Sequence, residues 1–365
     1  MDDLQRRFQA ALDSGARTVL HHPRRTPAET MARLARACEE LGVDTWDGYG
    51  ERGPVARLEA EVAELLGTPA AAMFPSGIMA QQAALRVWCD RAGTRRIALP
   101  DLSHLLKHEA DGPRRLHGFE VEHLTTGRVQ PSAEALEALP GHLAAVLVEL
   151  PLRHAGCALP DWAELEAFSA AAEEGGIARH LDGARLWESQ PFYDRPLAEV
   201  AGLFDSVYVS LYKGLGGLGG AVLAADEDVV EEARLWRKRM GGTIFRMTPE
   251  AVGGLVGLRD ELPRMGEYVA WARSLATSLE ARGVRVNPSP PHTPTFEVFA
   301  DGTEDEVNER LFALVEREGV VPSFPWWSTA VPGVVTTEIA VASAATGFDP
   351  DQVADWLAEV ALGAS

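Results

Sequence analysis

Ser206-Val-Tyr-Val-Ser-Leu-Tyr-Lys-Gly-Leu-Gly-Gly-Leu-Gly-Gly220 and, ending 31 residues before its lysine, Ile177-Ala-Arg-His-Leu-Asp182 decide how this chain is read. Each is a strand-like run that leads into a charged residue at a glycine-bearing turn. Taken alone, Lys213 reads as an exposed lysine on a glycine turn. The glycines after it lack the Gly-x-Gly-x-x-Gly order that opens a dinucleotide-binding helix. Asp182 alone reads as an ordinary strand-to-turn aspartate. Together they say more. A lysine at the end of a buried strand is where an amine can be desolvated and made nucleophilic. A carboxylate ending the preceding strand is what keeps a pyridine nitrogen protonated, so the pair points to a Schiff-base lysine and the electron-sink partner of pyridoxal 5′-phosphate.

The flanking sequence places that pair in an α/β chain. Apolar runs consistent with buried parallel strands occur at 71–74, 97–99, 144–150, 177–181, 206–211 and 221–224, with helical periodicity between them at 79–92, 132–138, 161–174 and 227–239. Helices at 27–41 and 54–66 precede the first strand, the second opened by Pro54 and closed by Gly67. This alternation predicts a mostly parallel sheet flanked by helices. Beyond a helix near 249–282, strands at 295–299 and 334–342 and helices near 303–318 and 349–361 predict a smaller C-terminal α/β domain. The expected organisation is an N-terminal helix (1–14), a large cofactor-binding domain (15–255) and a small domain (256–365).

Composition narrows the function classes. A formal charge of −20, from 34 basic against 54 acidic residues, repels phosphate backbones and anionic bilayers, which argues against nucleic-acid and membrane partners. Cys38, Cys89 and Cys157 are odd in number and widely spaced, which suits reduced thiols rather than disulfides or a zinc knuckle, and no metal site is expected. The N-terminal residues lack a signal-peptide apolar core, and the expected location is the cytoplasm.

Three further stretches carry candidate chemistry. Phe74-Pro-Ser-Gly-Ile-Met-Ala80 puts Ser76 and Gly77 at a helix N-terminus, either as a plain cap or as a phosphate cup. His104, in His104-Leu-Leu-Lys-His-Glu109, follows a strand and could stack on a ring or move a proton, with His108 as its competitor. Arg185, three residues after Asp182, has the planar fork that meets a carboxylate bidentately.

In this order Tyr49-Gly-Glu51, Pro75-Ser-Gly77, His104 with Glu109, His180-Leu-Asp-Gly-Ala-Arg185, Lys213-Gly-Leu-Gly216 and Arg237-Lys-Arg-Met-Gly-Gly242 resemble the threonine aldolase and β-eliminating lyase family. That family is a branch of the fold type I pyridoxal phosphate enzymes, and the likeness spans about residues 15–255. It implies that Lys213 is the Schiff-base lysine, Asp182 the ring partner and His104 the stacking group. It further implies phosphate binding by Ser76 and Gly77, with Arg246 reaching a phosphate across a subunit interface, and substrate binding by Arg185 and Tyr49. Homodimers or homotetramers follow from the same resemblance.

The chain also departs from the family pattern. Ile78 stands where a threonine is usual, and Tyr212 where a serine precedes the lysine. The stretch that carries the histidine for the β-hydroxyl reads Glu149-Leu-Pro-Leu-Arg153, with Leu152 aligned to that histidine and Arg153 or His154 available by a register shift. Val335-Thr-Thr-Glu-Ile339 lacks the family's second carboxylate-binding arginine. The expected reaction is cleavage of a β-hydroxy-α-amino acid to glycine and an aldehyde. The alternatives are β-elimination, transaldol exchange, amino-group transfer, or cofactor binding without turnover. Leu152 predicts a preference for bulky or apolar β-substituents, with Trp326 and Trp327 either lining the pocket or packing elsewhere.

Overall fold

The computed structural model describes residues 3–363, which divide into two units. The larger comprises residues 25–155 and 159–263. Its sheet has seven strands: β1 (Ala70–Phe74), β2 (Arg96–Leu99), β3 (Glu120–His123), β4 (Ala145–Glu149), β5 (Ala178–Gly183), β6 (Ser206–Ser210) and β7 (Ala221–Ala225), in the order β1-β7-β6-β5-β4-β2-β3. Strands β3, β2, β4, β5 and β6 pair in parallel, and β7 runs antiparallel between β6 and β1. The sheet is mostly parallel, as the alternating pattern predicts. Strand β3 is absent from the sequence-based set. Its residues Glu120-Val-Glu-His123 are largely polar and none is fully buried, with Val121 packed partly against the core, so no apolar run marks the strand.

Central strands are apolar because both faces are covered. All five residues of β4, β6 and β7 are buried. Alanines 80, 83 and 84 of the helix Gly77–Ala92 pack on Ala72, Phe74 and Leu223, with Tyr208 in the same cluster. Small side chains here bring the helix close to the sheet. A leucine at Ala84, itself fully buried, would overpack the layer at a cost of about 1–3 kcal/mol. Helix starts follow local signals. Thr26 accepts from the Glu29 amide while Glu29 accepts from the Thr26 amide, a capping box that opens Pro27–Leu41. Asp161 and Glu164 do the same for Trp162–Glu174.

The smaller unit holds residues 3–24, 156–158 and 264–363. Strands β8 (Arg285–Asn287), β9 (Thr295–Asp301), β10 (Trp327–Ser328) and β11 (Val334–Ala340) form an antiparallel sheet ordered β10-β11-β9-β8, and Arg17–Thr18 pairs with Val320–Val321. Helices Met265–Ala281, Glu304–Glu318 and Pro350–Leu362 belong to the same unit. The single helix expected over 249–282 is two, Thr248–Asp260 and Met265–Ala281, separated by the 3₁₀ turn Leu262–Arg264. Pro263 cannot donate the next helical hydrogen bond. The division expected after residue 255 therefore falls at that break, and residues 15–24 go with the small unit through their pairing with Val320–Val321.

Candidate active site

Ligands of open α/β sheets sit beyond the carboxyl ends of parallel strands. Here β4 closes on Glu149 and β5 on Asp182-Gly183, with Glu149 and Asp182 as register partners, while the chain leaving β6 turns at Lys213. One pocket is lined by Lys213, Asp182, Glu149, His104, Arg153 and Arg185 together with Ser76 and Gly77. Gln81, Tyr208 and Tyr212 complete the walls that concern the chemistry.

Asp182 is buried, and its Oδ1 accepts the Ala184 amide at 3.0 Å. Burial pushes its carboxyl up, while Lys213, the Ala184 amide, Gln81 and Arg185 act in the opposite direction. Lys213 is partly buried, and desolvation lowers its ammonium, with the Arg185 charge adding to the effect and Asp182 opposing it. The turn that aims it is closed by Gly216 N–H on the Lys213 carbonyl at 3.1 Å and Gly217 N–H on the Leu211 carbonyl at 2.9 Å. Glycine is required at 217, where a Cβ would stand 2.4 Å from the Leu211 oxygen.

His104 opens a short helix, and its backbone amide donates to Glu149 Oε1 at 2.6 Å. Its Nδ1 lies 2.9 Å from Glu109 Oε1. Burial first, then the charges of Lys213, His108 and Arg153, lower the imidazole to about 4. The ring is therefore neutral at neutral pH, and the Glu109 contact is a hydrogen bond that fixes its orientation. His108, the competing histidine, is outside the pocket lining: it stacks on His154 with Nε2 atoms 2.7 Å apart. Glu149 is pushed up to about 8, by burial and then by the Asp182 charge.

The residues present fit pyridoxal phosphate. Ser76 caps the sixteen-residue helix Gly77–Ala92 by accepting the Met79 amide at 3.3 Å, which leaves N-terminal amides for an anion. A Cβ on Gly77 would meet the Tyr208 hydroxyl at 2.0 Å, so a glycine keeps that end of the helix open. Gln81 Oε1 is buried without a hydrogen-bond partner in the pocket wall, a polar atom awaiting a donor. Asp182 provides the carboxylate and Lys213 the amine.

Two site residues expected from the sequence are not in this lining. Tyr49 and Arg246 lie together on an exposed segment: the Tyr49 amide donates to the Phe245 carbonyl at 3.1 Å, and the Arg246 guanidinium covers the Phe245 ring at 4.1 Å. Asp47, fully buried, anchors the segment by accepting the Met247 and Thr248 amides at 2.9 Å each. The expectation for Leu152 is also corrected. Its side chain is fully buried and absent from the lining, and the next residue, Arg153, forms the wall instead. Beyond Pro151 the chain enters one 3₁₀ turn, Arg153–Ala155, so alignment by count selects the wrong side chain. Trp326 is a core residue of the small unit, its amide donating to Asn308 Oδ1 at 2.8 Å. Sequence reasoning passed over Glu149, Gln81 and Tyr208. Gln81 carries a signal, since it lies four residues after Gly77 on the same helix face.

The sheet order and a pocket built from a strand-end lysine, an aspartate and a helix N-terminus define an enzyme of the fold type I, pyridoxal phosphate-dependent class. Comparison with known proteins agrees. The β-eliminating lyase family model matches residues 26–302. The Escherichia coli (strain K12) low specificity L-threonine aldolase is 29% identical over 71% of this chain and 80% of its own length. Low-specificity L-threonine aldolase 1 of Arabidopsis thaliana is 28% identical over 75% and 80%. A solved structure from Listeria monocytogenes, assigned provisionally as an L-allo-threonine aldolase, superposes with a TM-score of 0.90 at 32% identity, covering 98% of this chain and 99% of that one. The chain belongs to the β-eliminating lyase family, and within it to the threonine aldolase-like enzymes.

Proposed function

We propose that this enzyme cleaves the Cα–Cβ bond of a β-hydroxy-α-amino acid reversibly, releasing glycine and an aldehyde. The observation that carries the reading is the convergence of Lys213, Asp182, Arg185 and the Ser76–Gly77 helix end on one pocket with a neutral histidine. Pyridoxal phosphate, when bound, supplies a carbonyl that condenses with amines and a protonated ring that takes up the electron pair left when a bond to Cα breaks.

The chain's own residues do the rest. Ser76, Gly77 and the helix amides bind the phosphate. Asp182 holds the proton on the ring nitrogen. Lys213, with its amine lowered by burial, is the group that carries the cofactor between turnovers. Arg185 grips the α-carboxylate through its fork. His104, oriented by Glu109, takes the proton of the β-hydroxyl as that carbon becomes the aldehyde, and Cα receives a proton to give glycine.

We assign Tyr49 and Arg246 to the pocket of a partner copy in a homodimer or homotetramer, Arg246 toward phosphate and Tyr49 toward substrate. Their exposure beside Trp46 and Phe245, outside the lining of their own chain's pocket, supports that assignment. Three cysteines without a disulfide support a reducing, cytoplasmic location. None of the described helices is long and apolar enough to cross a membrane.

Product analysis tests the reaction. Holoenzyme given L-threonine, L-phenylserine and L-serine in turn should yield glycine with an aldehyde. Ammonia with a keto acid would replace this reading by elimination, and a spectral change with no product would reduce the protein to a binder.

A further inference from the structure

We propose that Arg153 is a specificity-determining residue that binds an anionic group on the substrate's β-substituent, so that the preferred substrates are β-hydroxy-α-amino acids with a second carboxylate. The proposal rests on the lyase reading and extends it to substrate class.

Two arginines enter the pocket from neighbouring strand ends. Arg185 follows Asp182 by three residues, and Arg153 follows Glu149 by four, with Glu149 and Asp182 paired across β4 and β5. One bidentate fork satisfies one carboxylate. Both charges reach Lys213, but the turns that carry them have different neighbours. Arg185 influences Asp182 and Tyr208, the ring-binding side. The turn that carries Arg153 lies on the His104 side: Glu149 accepts the His104 amide at 2.6 Å, and His154 Nε2 stands 2.7 Å from Nε2 of His108, whose ring lies 4.8 Å from that of His104. His104 is the neutral group assigned to the β-hydroxyl, so Arg153 stands where the β-substituent must lie. Leu152, the residue that would make this wall apolar, is turned into the core. A methyl or phenyl group set against a guanidinium gains no hydrogen bond and removes water from a charge. A carboxylate there gains a charge-assisted pair.

For β-hydroxyaspartate the chemistry balances without any other reactant. The Cα–Cβ bond breaks, its electron pair stays with Cα, which takes a proton to give glycine. The hydroxyl loses its proton, and the β-carbon leaves as the aldehyde carbon of glyoxylate.

The test compares holoenzyme with Arg153→Gln and Arg153→Lys variants on β-hydroxyaspartate, L-threonine and L-phenylserine. Wild-type kcat/KM should favour β-hydroxyaspartate over L-threonine by about tenfold or more. Arg153→Gln should lower it for β-hydroxyaspartate by about 10- to 100-fold and reduce the β-hydroxyaspartate-to-L-threonine ratio by about tenfold or more. Arg153→Lys, which keeps the charge but loses the fork, should fall between. Equal losses on all three substrates would place Arg153 on the α-carboxylate or in the fold and overturn the proposal, as would a wild-type preference for L-phenylserine. Calorimetric binding of L-aspartate against L-alanine, neither of which has a β-hydroxyl, reads the same contact without turnover. Aspartate should bind about tenfold tighter to wild type and lose that advantage in Arg153→Gln. Failure of cleavage with this binding difference intact would reject the lyase reading while leaving the anion contact in place. Equal affinities would reject the contact.

Discussion

Glu149 and Asp182 end adjacent parallel strands, face each other in register and are both buried, yet they have different chemistry. Asp182 is surrounded by groups that favour its charge: Lys213, the Ala184 amide, Gln81 and Arg185. Glu149 has the Asp182 charge as its strongest electrostatic neighbour and is pushed up to about 8, so below that pH it is the protonated member. Burial acts on both. Lys213 acts on both, whereas Arg185 and Gln81 act on Asp182, and like charges this close cannot both ionise freely. On the proposed reading one strand end holds a cationic ring, and the other is a neutral hydrogen-bonding post that accepts the His104 amide.

Asp182→Asn should give the largest effect, a loss of about 10²- to 10³-fold in kcat with cofactor uptake retained, because a neutral amide cannot sustain a protonated ring. Normal turnover would remove Asp182 from the role. Arg185→Lys comes next. The amino-acid KM should rise by about tenfold or more with the cofactor dissociation constant little changed, since an ammonium loses the bidentate fork. Parallel losses in both would place Arg185 near the phosphate.

Glu149→Gln is the direct challenge to the comparison. A neutral amide mimics a neutral carboxyl and still accepts the His104 amide. Activity at pH 7 should stay within about threefold of wild type. The wild-type decline expected above about pH 8, as Glu149 ionises beside Asp182, should disappear in the variant. A loss as large as that of Asp182→Asn would show that Glu149 also works as an anion.

These strand ends are legible in sequence for a simple reason. A buried parallel strand reads as a largely apolar run, and the charged residue that closes it emerges at the carboxyl edge. Asp182 and Lys213 could be placed by that rule, and Ser76 by the helix it caps. The turn after β4 obeys no such period. Between Glu149 and Ala155 the chain passes Pro151 and enters a 3₁₀ turn, so whether Leu152 or Arg153 faces the pocket depends on backbone direction that composition does not encode. Tyr49 and Arg246 illustrate a second limit. Family resemblance links them to a pocket, but in a single chain they lie beside each other on an exposed segment outside its lining.

His180, two residues before Asp182 on β5, gives the smallest and cleanest contrast, because burial shifts it with no charged group among the causes. The imidazole is fully buried, Nδ1 is 2.8 Å from Ser206 Oγ, and desolvation lowers it to about 3. Between that value and the ordinary 6.5 the unfolded chain binds a proton that the folded one refuses. Stability contributed by this site is therefore complete above about pH 6.5 and declines as pH falls toward 3, by up to about 1.4 kcal/mol per unit. His180→Asn should flatten the slope of unfolding free energy against pH in that window by about this amount, as read from denaturant midpoints at pH 5 and 6.5. An unchanged slope would assign the acid sensitivity elsewhere.

The central claim is that Lys213 is the amine that carries the cofactor, and the composition of the chain allows an unusually direct test. Only three lysines occur in the sequence: Lys107, Lys213 and Lys238. Holoenzyme reduced with borohydride and digested for peptide mapping should carry a stable pyridoxyl adduct on Lys213 alone. An adduct on Lys107 or Lys238 instead, or no adduct on a protein saturated with pyridoxal phosphate, would contradict the account.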